Sequence, residues 1–437
     1  MKNHPNRPFA PAKFPVFYGW IILAVGTLGI IMSLPGQTIG VSIFTESLLR
    51  DLEINRDNLS LAYLIGTVAS GLLITRAGKF YDKYGARVLA LIAAGMLGFM
   101  LLYLTRVESF VEFLNSRMKM SAALATFIIL IIGFWGIRFF GQGLLTMVSR
   151  NMVMKWFNKR RGLANAVLGI FSAFGFAMAP KIFSQIIDRY NWQGTWLLLG
   201  IVIGVGFVVV LLTLYRDNPE DCGLVADGTR FNNKKFKRPP SLPDRDYSLS
   251  EARRTWAFWG FTAGIALSGF YISGLIFHIE SVFKIAGMSK EMALGIFIPT
   301  SIIAIVVQFA CGYISDFIRL KYLLMLFMLG MLTTSIGLIF LGGTDASYWL
   351  IIIGNGVVWG LFTVLIAVTW PRFYGLKNLG AISGSSISLS VIGSAVGPYF
   401  FSLSLSQFGN YNFVAVLSIV LAVLIFIMAF KANNPNE

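Results

Sequence analysis

Runs of apolar residues, each near or above twenty positions, recur about twelve times along the 437-residue chain and are separated by short polar stretches. They fall at approximately 17–42, 58–77, 88–104, 122–148, 163–186, 194–215, 256–279, 292–313, 322–341, 348–370, 380–403 and 411–430. A hydrocarbon core about 30 Å thick takes roughly 20 helical residues to cross, so each run predicts one membrane-spanning helix. Segments such as 202–214 and 414–429 are apolar on every face, whereas strands of a membrane barrel alternate apolar and polar positions over about ten residues. The pattern predicts an all-α membrane protein.

The largest interruption, residues 216–254, carries Pro219, Pro239, Pro240 and Pro243 with nine Lys/Arg and seven Asp/Glu. It reads as a solvated linker, with room for a short amphipathic helix near 250–254. The predicted organisation is a six-helix bundle over 1–215, the linker 216–254, and a second six-helix bundle over 255–437. Between the spans, 105–120 reads as an ordinary polar loop. The halves are related: GKFYDKYGAR at 78–87 returns as GYISDFIRLK at 312–321, each between two apolar runs. Gly78, Asp82 and Arg87 thus match Gly312, Asp316 and Lys321, with Gly85 replaced by Arg319 in the second copy. A second register agrees at a constant offset of 218, pairing Gly162, Gly175, Ala179 and Pro180 with Gly380, Gly393, Gly397 and Pro398. Small residues four apart let membrane helices approach closely, and an internal proline bends them.

Composition sharpens this picture. Only 13% of residues are charged and 56% are hydrophobic, far from a soluble domain with about a quarter charged. The net charge of +16 does not signal a nucleic-acid partner, because the cations sit in short loops and not on a soluble basic face. With residue 1 inside, the inside tails and loops carry sixteen Lys/Arg against eight in the outside loops, so the positive-inside rule places both termini in the cytoplasm. The first apolar run, about 26 residues with no small-residue cleavage pattern, is too long for a signal-peptide core. Cys222 and Cys311 imply no disulfide framework. There is no GxxxxGK phosphate loop, and the two histidines, His4 and His278, form no metal-ligand cluster. ATP-driven transport and metalloenzyme chemistry are excluded, and no cofactor or metal is expected.

Two six-span halves, the repeated loop signature, RFFGQG at 138–143 and the small-residue and proline pairs of the fifth and eleventh spans resemble the major facilitator superfamily of secondary transporters. FYGW at 17–20, SRNMVMKWFNKRRGLA at 149–164 and NPEDCGLVADG at 218–228 resemble its bacterial monocarboxylate and oxalate/formate branch. The resemblance implies the major facilitator fold of twelve helices in two pseudo-symmetric bundles, a cavity near the bilayer midplane that opens alternately to each side, and location in a bacterial inner membrane. It also implies that Asp82 and Asp316 act at helix ends as partners of Arg87 and Lys321, keeping the cytoplasmic side closed. Members of that branch commonly carry a cation in the eighth or eleventh span; this chain has none there.

The polar residues inside apolar runs are the site candidates. Arg138, near the middle of the fourth span, costs about 2.5–3.5 kcal/mol there unless it faces protein or water. It is either a structural clamp on neighbouring carbonyls or a carboxylate-binding fork. Lys181, after Pro180, is either a snorkelling residue or a second cation of an anion path, and Tyr399 is its repeat equivalent, able to donate a hydrogen bond. Ser383, Ser386, Ser390 and Ser394 share one helical face, lining a cavity or packing helices. Gln37, Gln142, Gln308 and Asn355 are further hydrogen-bonding candidates. His278 and Glu280 end the seventh span and are either proton-coupling groups or solvated helix-end residues.

No carboxylate falls mid-span, so the interior is positive. The expected function is secondary-active transport of a small organic anion, a monocarboxylate or short dicarboxylate, by a monomer using proton coupling or exchange. The rivals are a drug or metabolite exporter of the same fold and a non-transporting membrane sensor, for which no soluble output domain is visible.

Overall fold

A backbone surrounded by hydrocarbon must satisfy its own N–H and C=O groups, and the described residues contain helices and turns but no strand. The computed structural model describes residues 8–157, 161–228, 245–315, 317–375 and 378–436. The chain divides into two compact units, Met1–Lys235 and Phe236–Glu437.

The first unit contains α1 (Gly19–Met32), α2 (Thr38–Ser42), α3 (Thr45–Asp51), α4 (Arg56–Leu104), α5 (Val107–Met118), α6 (Ala122–Ile137), α7 (Thr146–Trp156), α8 (Arg161–Ile201) and α9 (Val208–Leu214). Two π-helical segments, Arg138–Leu145 and Val202–Phe207, join α6 to α7 and α8 to α9. Polar residues start the helices: Asn55 Oδ1 accepts from Asn58 N at 2.7 Å, and Ser121 caps α6. The fifth and sixth spans run on through Asn191, whose φ of 56° breaks the helix and whose side chain caps the next turn through Gly194 N at 2.8 Å.

The second unit contains α10 (Leu249–Ala252), α11 (Trp256–Phe277), α12 (Ile279–Ile285), α13 (Lys290–Gly295), α14 (Phe297–Ile314), α15 (Leu320–Ile339), α16 (Asp345–Tyr374), α17 (Leu379–Phe408) and α18 (Asn412–Ala429). Among the described residues ten helices are long and apolar enough to cross a membrane. Dividing Ala166–Leu214 at Asn191 and adding the shorter Gly19–Met32 matches the twelve predicted spans.

Three local expectations are refined. The stretch 105–120 is not an irregular loop: it forms α5, anchored by the buried Val107 and ended by Lys119 at φ 50°. The short helix expected near 250–254 is α10, held by a capping box between Ser248 and Glu251. The linker ends also dock. Arg216 is buried, donating to the Thr213 and Tyr215 carbonyls at 2.8 Å, and Trp156 Nε1 donates to the Arg216 carbonyl at 3.3 Å. Tyr247 N donates to the Tyr374 carbonyl at 2.9 Å in the second unit. Residues 229–244 lie outside the described residues. Both cysteines are buried and unpaired, and burial pushes the Cys222 thiol up to about 11.

The loop signatures behave differently in their two copies. Gly85 takes φ +84°, a conformation that favours glycine, and a Cβ there would lie 2.6 Å from Asp217 Oδ2. Asp217 Oδ1 instead accepts from Arg87 N at 2.7 Å, capping the restarted helix, while the Arg87 guanidinium donates to the Leu212 carbonyl. In the second copy Arg319 stays extended at φ −70° before α15 begins, because a residue with a Cβ does not take the Gly85 geometry cheaply. Asp217→Ala should lower stability by about 1 kcal/mol, while Asp217→Asn, which keeps an acceptor, should lose less. Thermal melting of the purified protein measures both, and equal melting of all three would remove the capping role.

Candidate functional site

The first span is broken where the sequence places Pro35-Gly36. After α1 the chain makes a tight turn at Leu34–Gly36, passes Gln37 in extended conformation and restarts at Thr38. The break frees the Gly36 carbonyl for a side chain. The π-helical Arg138–Leu145 lies against it, and glycine permits the approach: a Cβ on Gly36 would fall on the Ile137 carbonyl, and one on Gly141 would come 2.9 Å from Gly36 Cα. Such π segments are frequent at functional sites because the widened turn re-aims its side chains.

Arg138 is fully buried in this contact. Its Nη1 donates to the Gly36 carbonyl at 3.1 Å and to Thr38 Oγ1 at 3.2 Å, and its guanidinium carbon lies 5.1 Å from the centre of the Tyr63 ring. Thr38 and Tyr63 are joined through their hydroxyls at 2.9 Å. Nε and Nη2, both buried, have no hydrogen-bond partner among the described residues. These two nitrogens form one edge of the planar fork, the edge that receives a carboxylate with two parallel hydrogen bonds. One nitrogen thus clamps the broken helix, as the structural reading expects, and an edge is left over.

A second polar cluster adjoins it. Gln37 Nε2 donates to Ser33 Oγ at 3.0 Å and Thr146 Oγ1 at 3.1 Å, and Thr146 donates to Ser33 at 2.9 Å. Gln142, on the π segment, is half-buried and makes no side-chain hydrogen bond to a described residue. Ser33, Tyr63 and Thr146 join the cluster without being among the residues singled out from the sequence. The i, i+4 pairing of Ser33 with Gln37, and of Gln142 with Thr146, is the signal that points to two of them. Lys181, beyond the buried Pro180, is exposed and does not join this cluster.

In the second unit the polar residues are mostly used inside the bundle. Asn355 is buried, its Oδ1 accepting from Thr334 Oγ1 at 3.3 Å, and Tyr271 donates to the Thr334 carbonyl at 3.0 Å. Ser386 and Ser390 are buried, and Ser390 faces α11, with its Oγ 3.4 Å from the Ile265 carbonyl. This is the helix-packing use of the serine face. Gln308 and Tyr399 are half-buried and form no side-chain hydrogen bond to a described residue.

A family model described as the Major Facilitator Superfamily matches residues 21–398, most of the chain and both units. The chain belongs to the Major Facilitator Superfamily. Among curated superfamily relatives, MFS-type transporter 1 of Ophiocordyceps sp. (strain BCC 1869) is 25% identical over 218 residues, covering 47% of this chain and 44% of that protein. The MFS-type transporter YhjX of Escherichia coli (strain K12) is 22% identical over 281 residues, covering 58% and 61%. The chain thus spans about half the length of the curated relatives it matches. Two solved superfamily folds superpose over 96% of it. One is a bacterial homologue of the human lysosomal transporter Spinster, inward-facing and occupied (TM-score 0.69, 14% identity, 97% of that chain). The other is a D-xylose–proton symporter (TM-score 0.63, 17% identity, 99% of that chain). These relatives are transporters, not enzymes.

Other expected positions of this facilitator-fold chain fall as follows. Pro398, like Pro180, is buried inside a long helix. Gly312 is half-buried, and Lys321 Nζ donates to Asn433 Oδ1 at 2.8 Å. The side-chain positions of 78 and 82, and Asp316 altogether, lie outside the described residues. His278 is not a solvated helix-end residue: it is buried, its Nε2–H donating to the Pro398 carbonyl at 2.8 Å, among the rings of Phe277, Phe401 and Tyr411. Glu280 lies 3.4 Å from Lys290 Nζ. His278→Phe keeps a ring in this cage and removes the donor, so it should cost roughly 1 kcal/mol of stability and leave the pH profile of transport unchanged. A displaced profile, measured by uptake across pH, would instead make His278 the coupling group.

Proposed function

We propose that this superfamily member is a secondary-active transporter of a small organic anion, a monocarboxylate or short dicarboxylate, working by alternating access with proton coupling or counter-exchange. The observation that carries the reading is the unpartnered Nε/Nη2 edge of the fully buried Arg138. A buried charge is retained only at a cost, and a carboxylate both neutralises it and satisfies the two remaining donors. Gln37 follows Gly36, whose carbonyl Arg138 holds, and Gln142 lies four residues after Arg138; both are half-buried, so they would receive the anion before it reaches the guanidinium. Lys181 and Tyr399 would assist entry, and Gln308, half-buried and without a side-chain hydrogen bond to a described residue, would offer a further polar contact. The gate would be worked by Gly78, Asp82 and Arg87 with Gly312, Asp316 and Lys321, while Pro180 and Pro398 give their helices a place to bend.

The excess of inside cations supports cytoplasmic termini, and the three quoted motifs support the bacterial monocarboxylate and oxalate/formate branch in an inner membrane. The transporter would work as a monomer. The second reading, a drug or metabolite exporter, is favoured by one observation: Arg138 Nη1 already serves the Gly36 carbonyl and Thr38. A thermal-shift screen against carboxylates, sugars and lipophilic cations separates the two, because a ligand of the folded state raises its melting temperature. Stabilisation by a carboxylate supports anion transport; stabilisation by lipophilic cations alone supports export.

A further inference from the structure

At one end of the second unit the start of α15, the end of α16 and the segment after α18 form a shallow, solvent-open recess. Among the described residues its lining carries the cations Arg319, Lys321 and Arg372 with Asn433 and Asn434. The walls are built. Arg372 donates to the Ser315 carbonyl and Lys321 to Asn433, while Asn436 Nδ2, donating to the Phe373 carbonyl at 2.8 Å, ties the C-terminal segment across α16. The N-terminus of α15 opens into the same recess with no side-chain cap and no acidic residue in its first turn, so its N–H groups add positive potential.

The surroundings indicate the source of the anion. Along α15, Tyr322, Leu326 and Leu329 form an exposed face that begins next to Lys321; on α18, Ile427 and Phe430 are exposed just before the recess-lining Ala432. In a membrane these faces meet acyl chains. A free anion would need the cations alone, whereas a lipid uses the cations and the adjoining apolar stripe together.

We propose that this recess binds the phosphate group of an anionic phospholipid at the inner membrane surface. Basic pockets between helix ends on the cytoplasmic side suit such head groups, each cation adding about 1 kcal/mol near the surface. The inner location rests on the cytoplasmic placement of the termini. The site itself does not depend on which substrate is carried, and its test involves no transport.

The test is a titration of phosphatidylglycerol into the full-length protein in phosphatidylcholine micelles, read as melting temperature. Wild type should be stabilised, and Arg319→Gln/Lys321→Gln should need roughly 10- to 30-fold more lipid for the same shift. Arg117→Gln/Lys119→Gln, altered on the exposed loop side of α5, should titrate like wild type. If the Arg319/Lys321 variant melts early in phosphatidylcholine alone, Lys321→Gln replaces it, with a shift of about fivefold expected. Equal titration of wild type and these variants would overturn the site. Equal weakening by the Arg117/Lys119 variant would reduce it to general surface charge. Stabilisation by inorganic phosphate as strong as by lipid would show an anion site without lipid character and overturn the lipid assignment.

Discussion

Arg138→Ala should abolish carboxylate transport, with uptake into proteoliposomes falling on the order of 100-fold or more. A charge-assisted hydrogen bond is worth about 1.5–3 kcal/mol, and the Nε/Nη2 edge would supply two to a bound carboxylate, so roughly 3 kcal/mol or more is lost. Arg138→Lys keeps the charge without the planar fork and should fall between the two. Part of the alanine effect is structural, since Nη1 also holds the Gly36 carbonyl and Thr38. Thr38→Val isolates that part: it removes one clamp contact and leaves the open edge, so it should lower the melting temperature yet preserve uptake. Wild-type uptake of every carboxylate by Arg138→Ala would end the assignment and leave Arg138 as a clamp only.

The largest stability loss is expected at Gly397. A Cβ there would fall on the Phe270 carbonyl, and one on Gly393 would fall on the Ala266 carbonyl, so α17 crosses α11 backbone against backbone. Overpacking typically costs about 1–3 kcal/mol when side chains can adjust; a carbonyl inside a helix adjusts little. Gly397→Val should therefore destabilise the second unit by about 3 kcal/mol or more, seen as early melting and poor recovery from detergent. Gly384, in the same helix, meets nothing within 4 Å, and Gly384→Ala should be neutral or stabilising by up to about 1 kcal/mol. Equal melting of both variants would show that the α11–α17 crossing loosens without cost. The repeat equivalent of Gly397 is Ala179, already carrying a Cβ and buried, so the two units share a pattern without sharing a contact distance.

Several features of the site are legible in the order of amino acids. Arg138 stands out because a cation in an apolar run must find a partner, and Gln37 and Gln142 stand out as hydrogen-bonding groups within apolar spans. Other features are not legible there. The serine face of α17 has the same periodicity whether it lines a cavity or packs a helix, and only the burial of Ser390 against α11 distinguishes the two at that position. His278 ends its helix in the sequence, yet the rings that enclose it come partly from Phe401 and Tyr411, more than a hundred residues away. The π segment at 138–145 is not legible there either, since a hydrogen bond that spans one residue more than in an α-helix leaves no mark in residue order.

By itself the sequence determined the class of fold and its duplication. Apolar runs of membrane length must become helices, because no water is present to satisfy the backbone, and two signatures repeated in register mark two halves. Local side-chain chemistry accounts for the helix starts capped by Asn55, Ser121 and Ser248 and for the positive φ at Gly85. Tertiary structure alone decided which polar groups meet. Arg138 and the Gly36 carbonyl are about a hundred residues apart, and Asp217 and Gly85 still further. Helical periodicity assigns a residue to a face of its own helix and says nothing of the helix opposite. That pairing is set by close packing, where a missing Cβ at Gly36 and Gly141 admits a backbone to within contact distance.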